Sequence, residues 1–112
     1  MQSTADSLWR KMITELGKDT KEIKTINSAG HNDRGKWFSV KVVDDILYVD
    51  AARENSPSSS LMMARPISKK GFITLYANYS KWRAGTMTRV QASGNSMNSS
   101  YIFALIHAFD DN

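Results

Sequence analysis

The residues able to do chemistry in this 112-residue chain are few and scattered. Histidine occurs only as His31 and His107, in different predicted elements. A zinc site would need both, plus a carboxylate such as Asp33 or Asp110, because a catalytic zinc takes several protein ligands. Nothing in the spacing brings these together: His107 falls on the outer side of a predicted helix and His31 in a loop. Asp44, Asp45 and Asp50 are the densest carboxylate group, and clustered carboxylates can hold a divalent cation for phosphodiester cleavage. Asp44-Asp45 stands where a turn is needed, however, and no acidic-x-Lys signature follows Asp50. Serines gather at 56–60 and at Ser96, Ser99 and Ser100, but a nucleophilic serine needs a positioned base, and neither run is paired with one. Gly-rich nucleotide loops, H-E-x-x-H and calcium-loop patterns do not occur. Without cysteine there is no disulfide and no thiolate chemistry. The sequence therefore points away from an enzyme and predicts no metal and no cofactor.

Anion binding is the chemistry that remains. The run ASGNSMNSS (92–100) delivers a glycine, hydroxyls and amides into the start of a helix, where free N–H groups and the helix dipole suit an anion. Asn95, Asn98 and Ser99 are the candidates, and Arg89 in the preceding segment can add charge-assisted bonds. The ordinary use of such a run is capping by Asn98 or Ser99, and this is the reading to beat. A second polar run, AARENSPSSS (51–60), carries Arg53 directly after the strongest predicted strand and is long for a connection inside a small domain. Arg53, Arg65 and Arg89 could converge at one end of the sheet. Trp37 lies beside Lys36 and near Lys41, on the strand face opposite Phe38 and Val40. Such a tryptophan either stacks on bases or is covered by a helix, and both readings stay open. The chain has fifteen Lys and Arg against eleven Asp and Glu, a net charge of +4 that favours polyanions and is also ordinary for a soluble domain.

The elements that must position these residues read as one domain over 1–112. Leu8, Met12, Ile13 and Leu16 recur at helical spacing, predicting a helix from about Thr4 to Leu16 that ends at Gly17. KEIKTI (21–26) reads as a short, charged edge strand. In GKWFSVKVVDDILYVDAA (35–52) two alternating runs flank Asp44-Asp45. A two-residue turn there sets Val42 against Leu47, Val40 against Val49 and Phe38 against Ala51 on one face. It also sets Lys41 against Tyr48 and Ser39 against Asp50 on the other. LMMAR (61–65) reads as a further strand ended by Pro66. Ser68 caps a second helix through about Ala84, with Phe72, Leu75, Tyr76, Tyr79 and Trp82 as its buried stripe. TMTRVQAS (86–93) alternates like a strand. Ser99 to Phe109 forms a last helix burying Tyr101, Ile102, Leu105, Ile106 and Phe109. The order α-β-β-β-β-α-β-α predicts an α+β fold, with three helices on one face of a mainly antiparallel sheet of four to five strands and the other face partly open.

No apolar run approaches the ~20 residues of a membrane span, and the first residues, with mixed charges, do not read as a secretory signal. The hairpin, the Tyr-rich helix and NSMNSSYIFALI together resemble small uncharacterised proteins of bacterial mobile DNA, such as integron gene cassettes. The resemblance carries no catalytic residue across. It implies a stand-alone cytoplasmic accessory protein of a bacterium. Two functions are expected from the sequence: a non-enzymatic module that binds nucleic acid or another polyanion, and, as the alternative, a homodimer that binds a partner protein or a small ligand in an apolar pocket. The exposed hairpin face and the KEIKTI edge would supply the dimer interface.

Overall fold

The hairpin at the centre of the chain sets the architecture. Asp44 and Asp45 both adopt positive φ, 53° and 64°, the pairing of a primed two-residue turn whose twist matches the strands it joins. Val42 then faces Leu47, Val40 faces Val49 and Phe38 faces Ala51. These strands, β2 (Trp37–Val43) and β3 (Ile46–Ala51), lie between β1 (Lys21–Lys24) and β4 (Arg65–Ile67) in a four-stranded antiparallel sheet of order β1-β2-β3-β4. Among the described residues three helices complete the domain: α1 (Ala5–Lys18), α2 (Lys69–Arg83) and α3 (Ser99–Asp110). The computed structural model describes residues 5–26, 35–59, 61–87 and 98–110.

The helices cover one face of the sheet. Phe38, Val40, Leu47, Val49 and Ile67 are fully or almost fully buried there, in one core with Leu8, Met12 and Leu16 of α1 and Phe72, Leu75, Tyr79 and Trp82 of α2. The last helix is buried on more sides than one stripe allows. Phe103 and Ala104 have no exposed surface, as do Leu105 and Ile106, because α3 packs against α1, α2 and β1 together. A helix apolar around most of its circumference belongs inside the helix layer. Phe103 stacks on Trp82 with ring centroids 4.3 Å apart, and Tyr101 meets Phe38 edge-on at 5.0 Å. The Lys11 ammonium donates to the Phe109 carbonyl at 3.0 Å, tying α1 to the end of α3.

Two expectations change. LMMAR does not form a strand over 61–65: β4 begins at Arg65 and runs through Pro66 to Ile67, while Met62 and Met63 stand exposed. The residue that fixes the register is Ile67, buried opposite Leu47. Proline is compatible with this strand because β4 lies at the sheet edge. His107 is partly buried rather than on an outer face, with its Nδ1 3.4 Å from the Tyr79 hydroxyl. The strand expected over 86–93 falls mostly outside the described residues. Thr86 and Met87, which are described, belong to no strand. At the end of α2, Ala84 is the C-cap and Gly85 takes a positive φ of 84°, the left-handed conformation that glycine adopts without strain.

Candidate functional site

The face of the sheet turned away from the helices is built by alternation. Each residue that follows a core position along β2 and β3 points the other way. Trp37, Ser39 and Lys41 of β2 and Tyr48 and Asp50 of β3 therefore share this face, and each keeps part of its surface in water. The register places Lys24 opposite Trp37 and Lys41 opposite Tyr48. Two aromatic rings thus each have a lysine as cross-strand neighbour, and neither ring belongs to the core.

Trp37 is held by its backbone from both sides. Lys24 of β1 pairs with it on one edge. On the other edge its N–H donates to the Pro57 carbonyl and its carbonyl accepts from the Ser59 N–H, each at 2.8 Å. Just before it, the Thr25 N–H donates to the Lys36 carbonyl, and the Lys36 N–H donates to the Thr25 hydroxyl at 2.9 Å. Gly35 makes this approach possible, since a Cβ there would collide with the Thr25 carbonyl oxygen.

The connection between β3 and β4 folds back over the middle of the same face and is fastened by Glu22. The Glu22 carboxylate accepts from the backbone N–H groups of Arg53 at 2.6 Å, Glu54 at 3.1 Å and Asn55 at 3.0 Å, and from the Asn55 side-chain amide at 2.8 Å. Three successive amides converging on one anion form a nest. The Arg53 N–H above all, helped by Asn55 and Glu54, holds the Glu22 carboxyl below its ordinary range, outweighing the opposite effect of desolvation. Beside this tether lies a polar groove of about 450 Å³ bordered by Glu22, Ser39, Lys41, Asp50 and Arg53.

The sequence candidates fall on two sides of the sheet. Trp37, Lys41 and Arg53 lie on the side turned away from the helices. Asn98 and Ser99 open α3 on the helix side, where the Arg65 guanidinium donates to the Asn98 side-chain oxygen at 3.2 Å and Ser99 is buried. An arginine does reach this helix start, and it comes from β4. Arg53 and Arg65 do not converge: one follows β3 on the side turned away from the helices and the other points to the helix side. Arg89 and Asn95 lie outside the described residues. Reasoning from sequence missed Glu22 and Lys24, and placed Tyr48 on the same face as Lys41 without counting it as a site residue. The pairing of Lys41 with Tyr48 was readable from the hairpin, but Glu22 meets its partners 31 to 33 positions away, a separation that leaves no local signal.

Among the described residues, no three His, Asp or Glu side chains are grouped to hold a metal. Asp44 and Asp45 are spent on the turn, and Asp50 accepts from the Ala51 N–H at 2.8 Å. No described helix is long and apolar enough to cross a membrane. In comparisons with known proteins, the chain matches no family model, no curated protein and no solved structure.

Proposed function

We propose that the protein is a non-enzymatic module that binds single-stranded nucleic acid on the face of its sheet turned away from the helices. The observation that carries this reading is the cross-strand pairing of Trp37 with Lys24 and of Tyr48 with Lys41. Every base has a π-face, so aromatic rings bind single strands with little regard to sequence, while neighbouring cations track the backbone. Lys36 and Arg53, both exposed, extend the positive charge. The test is anisotropy of labelled single-stranded DNA and RNA at low salt, repeated as salt is raised. Binding should weaken steeply with salt, because phosphate contacts release counterions. Trp37→Ala should weaken it by about 1–3 kcal/mol. Failure of both oligonucleotides to bind at low salt removes the proposal.

A second reading, a homo-oligomer that takes an apolar partner or small ligand, draws support from one feature. A groove of about 550 Å³ runs along Leu61, Met62, Met63, Pro66 and Tyr101, with Arg65 at its border. Met62 is 99% exposed and Met63 76%, and flexible thioether side chains suit adaptable apolar contacts. Light scattering that gives a monomer at micromolar concentration would count against the oligomer.

A further inference from the structure

The excess of basic over acidic residues in the chain equals that of one helix. α2 holds four of the fifteen Lys and Arg, namely Lys69, Lys70, Lys81 and Arg83, and none of the eleven Asp and Glu. The rest of the chain has eleven of each sign, so the net charge of +4 equals that of α2. Its first turn begins with Lys69 and Lys70 and contains no acidic residue. Cations there oppose the helix dipole, which favours negative charge at this end. Lys69 is paired with Asp6 of α1, and Lys81 and Arg83 stand in the last turn, where the dipole favours cations, so Lys70 is the one whose placement helix stability does not account for.

The outer surface of α2 has a definite form. Lys70, Thr74, Ala77 and Lys81 follow at i, i+4, i+7 and i+11, and all are exposed. At 3.6 residues per turn they make one stripe, with the two lysines about 16 Å apart along the axis. The side chains between them are short, so a long straight polyanion can lie along the stripe and meet both ammonium groups. Lys69 adds charge at one end, shared with Asp6 of α1 at 2.8 Å. The opposite side of α2 buries Phe72, Leu75, Tyr79 and Trp82 in the core. The stripe and the sheet face turned away from the helices are thus on opposite sides of the molecule.

We infer that the outer face of α2 is a second, base-independent interaction surface, fitted to the phosphodiester backbone of duplex nucleic acid. One molecule would then hold a duplex on its helix layer and a single strand on its sheet, joining two segments. This surface does not depend on the sheet-face reading, and the two can fail separately.

The experiment compares the wild type, the double variant Lys70→Gln/Lys81→Gln and Trp37→Ala. Each is titrated against a blunt-ended labelled duplex and a labelled single strand across a salt series. The lysines are exposed, and matching thermal transitions verify that the variants fold. The wild type should bind the duplex at low salt. The double lysine variant should bind it several-fold more weakly, with the slope of log K against log salt reduced by about two, while its single-strand binding is kept. Trp37→Ala should leave duplex binding unchanged, and its effect on the single strand reports on the sheet face alone. Three results would overturn the inference: no duplex binding by the wild type, an unchanged slope in the lysine variant, or an equal loss of duplex binding in Trp37→Ala. Vesicles of phosphatidylcholine with phosphatidylserine are a control. Binding to them that exceeds duplex binding and is lost in the lysine variant would also overturn it, by assigning the stripe to an anionic membrane surface.

Discussion

Phe38, Val40, Leu47 and Val49 have no exposed surface, whereas Trp37, Ser39, Lys41, Tyr48 and Asp50, one step away along the same strands, all remain partly in water. The two sets share a backbone, a register and a turn. They differ in what lies over them: the helices α1, α2 and α3 on one side, and on the other the segment that Glu22 fastens. Burial of the first set holds the domain together, while the aromatic rings of the second lie outside the core and keep part of their surface in water.

The most damaging way to test this contrast is truncation inside the core. Phe103→Ala removes the ring stacked on Trp82 and should cost about 3–5 kcal/mol, read from urea unfolding. Gly35→Ala forces a Cβ against the Thr25 carbonyl and should cost about 1–3 kcal/mol, as overpacking does. Trp37→Ala should cost less than about 1 kcal/mol of stability while weakening single-strand binding. A stability loss as large as that of Phe103→Ala would end the distinction between the two faces. Asp45→Gly relieves a positive φ in a non-glycine residue and should stabilise the fold by about 0.5 kcal/mol, seen as a raised urea midpoint.

The smallest effect is expected at Glu22. Its carboxyl titrates below the ordinary value of 4.5 in the folded chain. The tether is therefore at full strength above that value and is lost as pH falls through the lower folded value. Protection of the Arg53, Glu54 and Asn55 amides from hydrogen exchange, taken against the intrinsic rate at each pH, should be high near neutral pH and fall on acidification below the ordinary carboxylate range. Glu22→Gln should lower the protection near neutral pH to the level the wild type reaches in acid, remove most of its pH dependence, and leave the unfolding transition nearly in place. Unchanged protection in Glu22→Gln would show that the segment is held by something else.

The hairpin was legible because alternation and turn chemistry demand the same register, and a slip of one residue would have turned Phe38, Val40, Leu47 and Val49 outward. The stripe of α2 and its Ser68 cap were legible for a similar reason: the Ser68 hydroxyl accepts from the Gly71 N–H at 3.0 Å, a bond local in sequence. The burial of Phe103 and Ala104 was not legible, since it depends on how many neighbours surround α3. The start of β4 was misplaced because LMMA is apolar enough for a strand, while pairing with Leu47 selects Ile67. For the site, Trp37 and Lys41 could be placed on a common face from the alternation alone. The separation of Arg53 from Arg65, and the tether at Glu22, are consequences of tertiary folding that no local pattern encodes.

The outermost strands, β1 and β4, have one further consequence. β1 carries Lys21 and Lys24, and the middle residue of β4 is Pro66, which has no N–H to offer. Lysines and prolines on terminal strands are the features that stop one sheet from recruiting another. Copies of this chain are thereby discouraged from polymerising strand to strand.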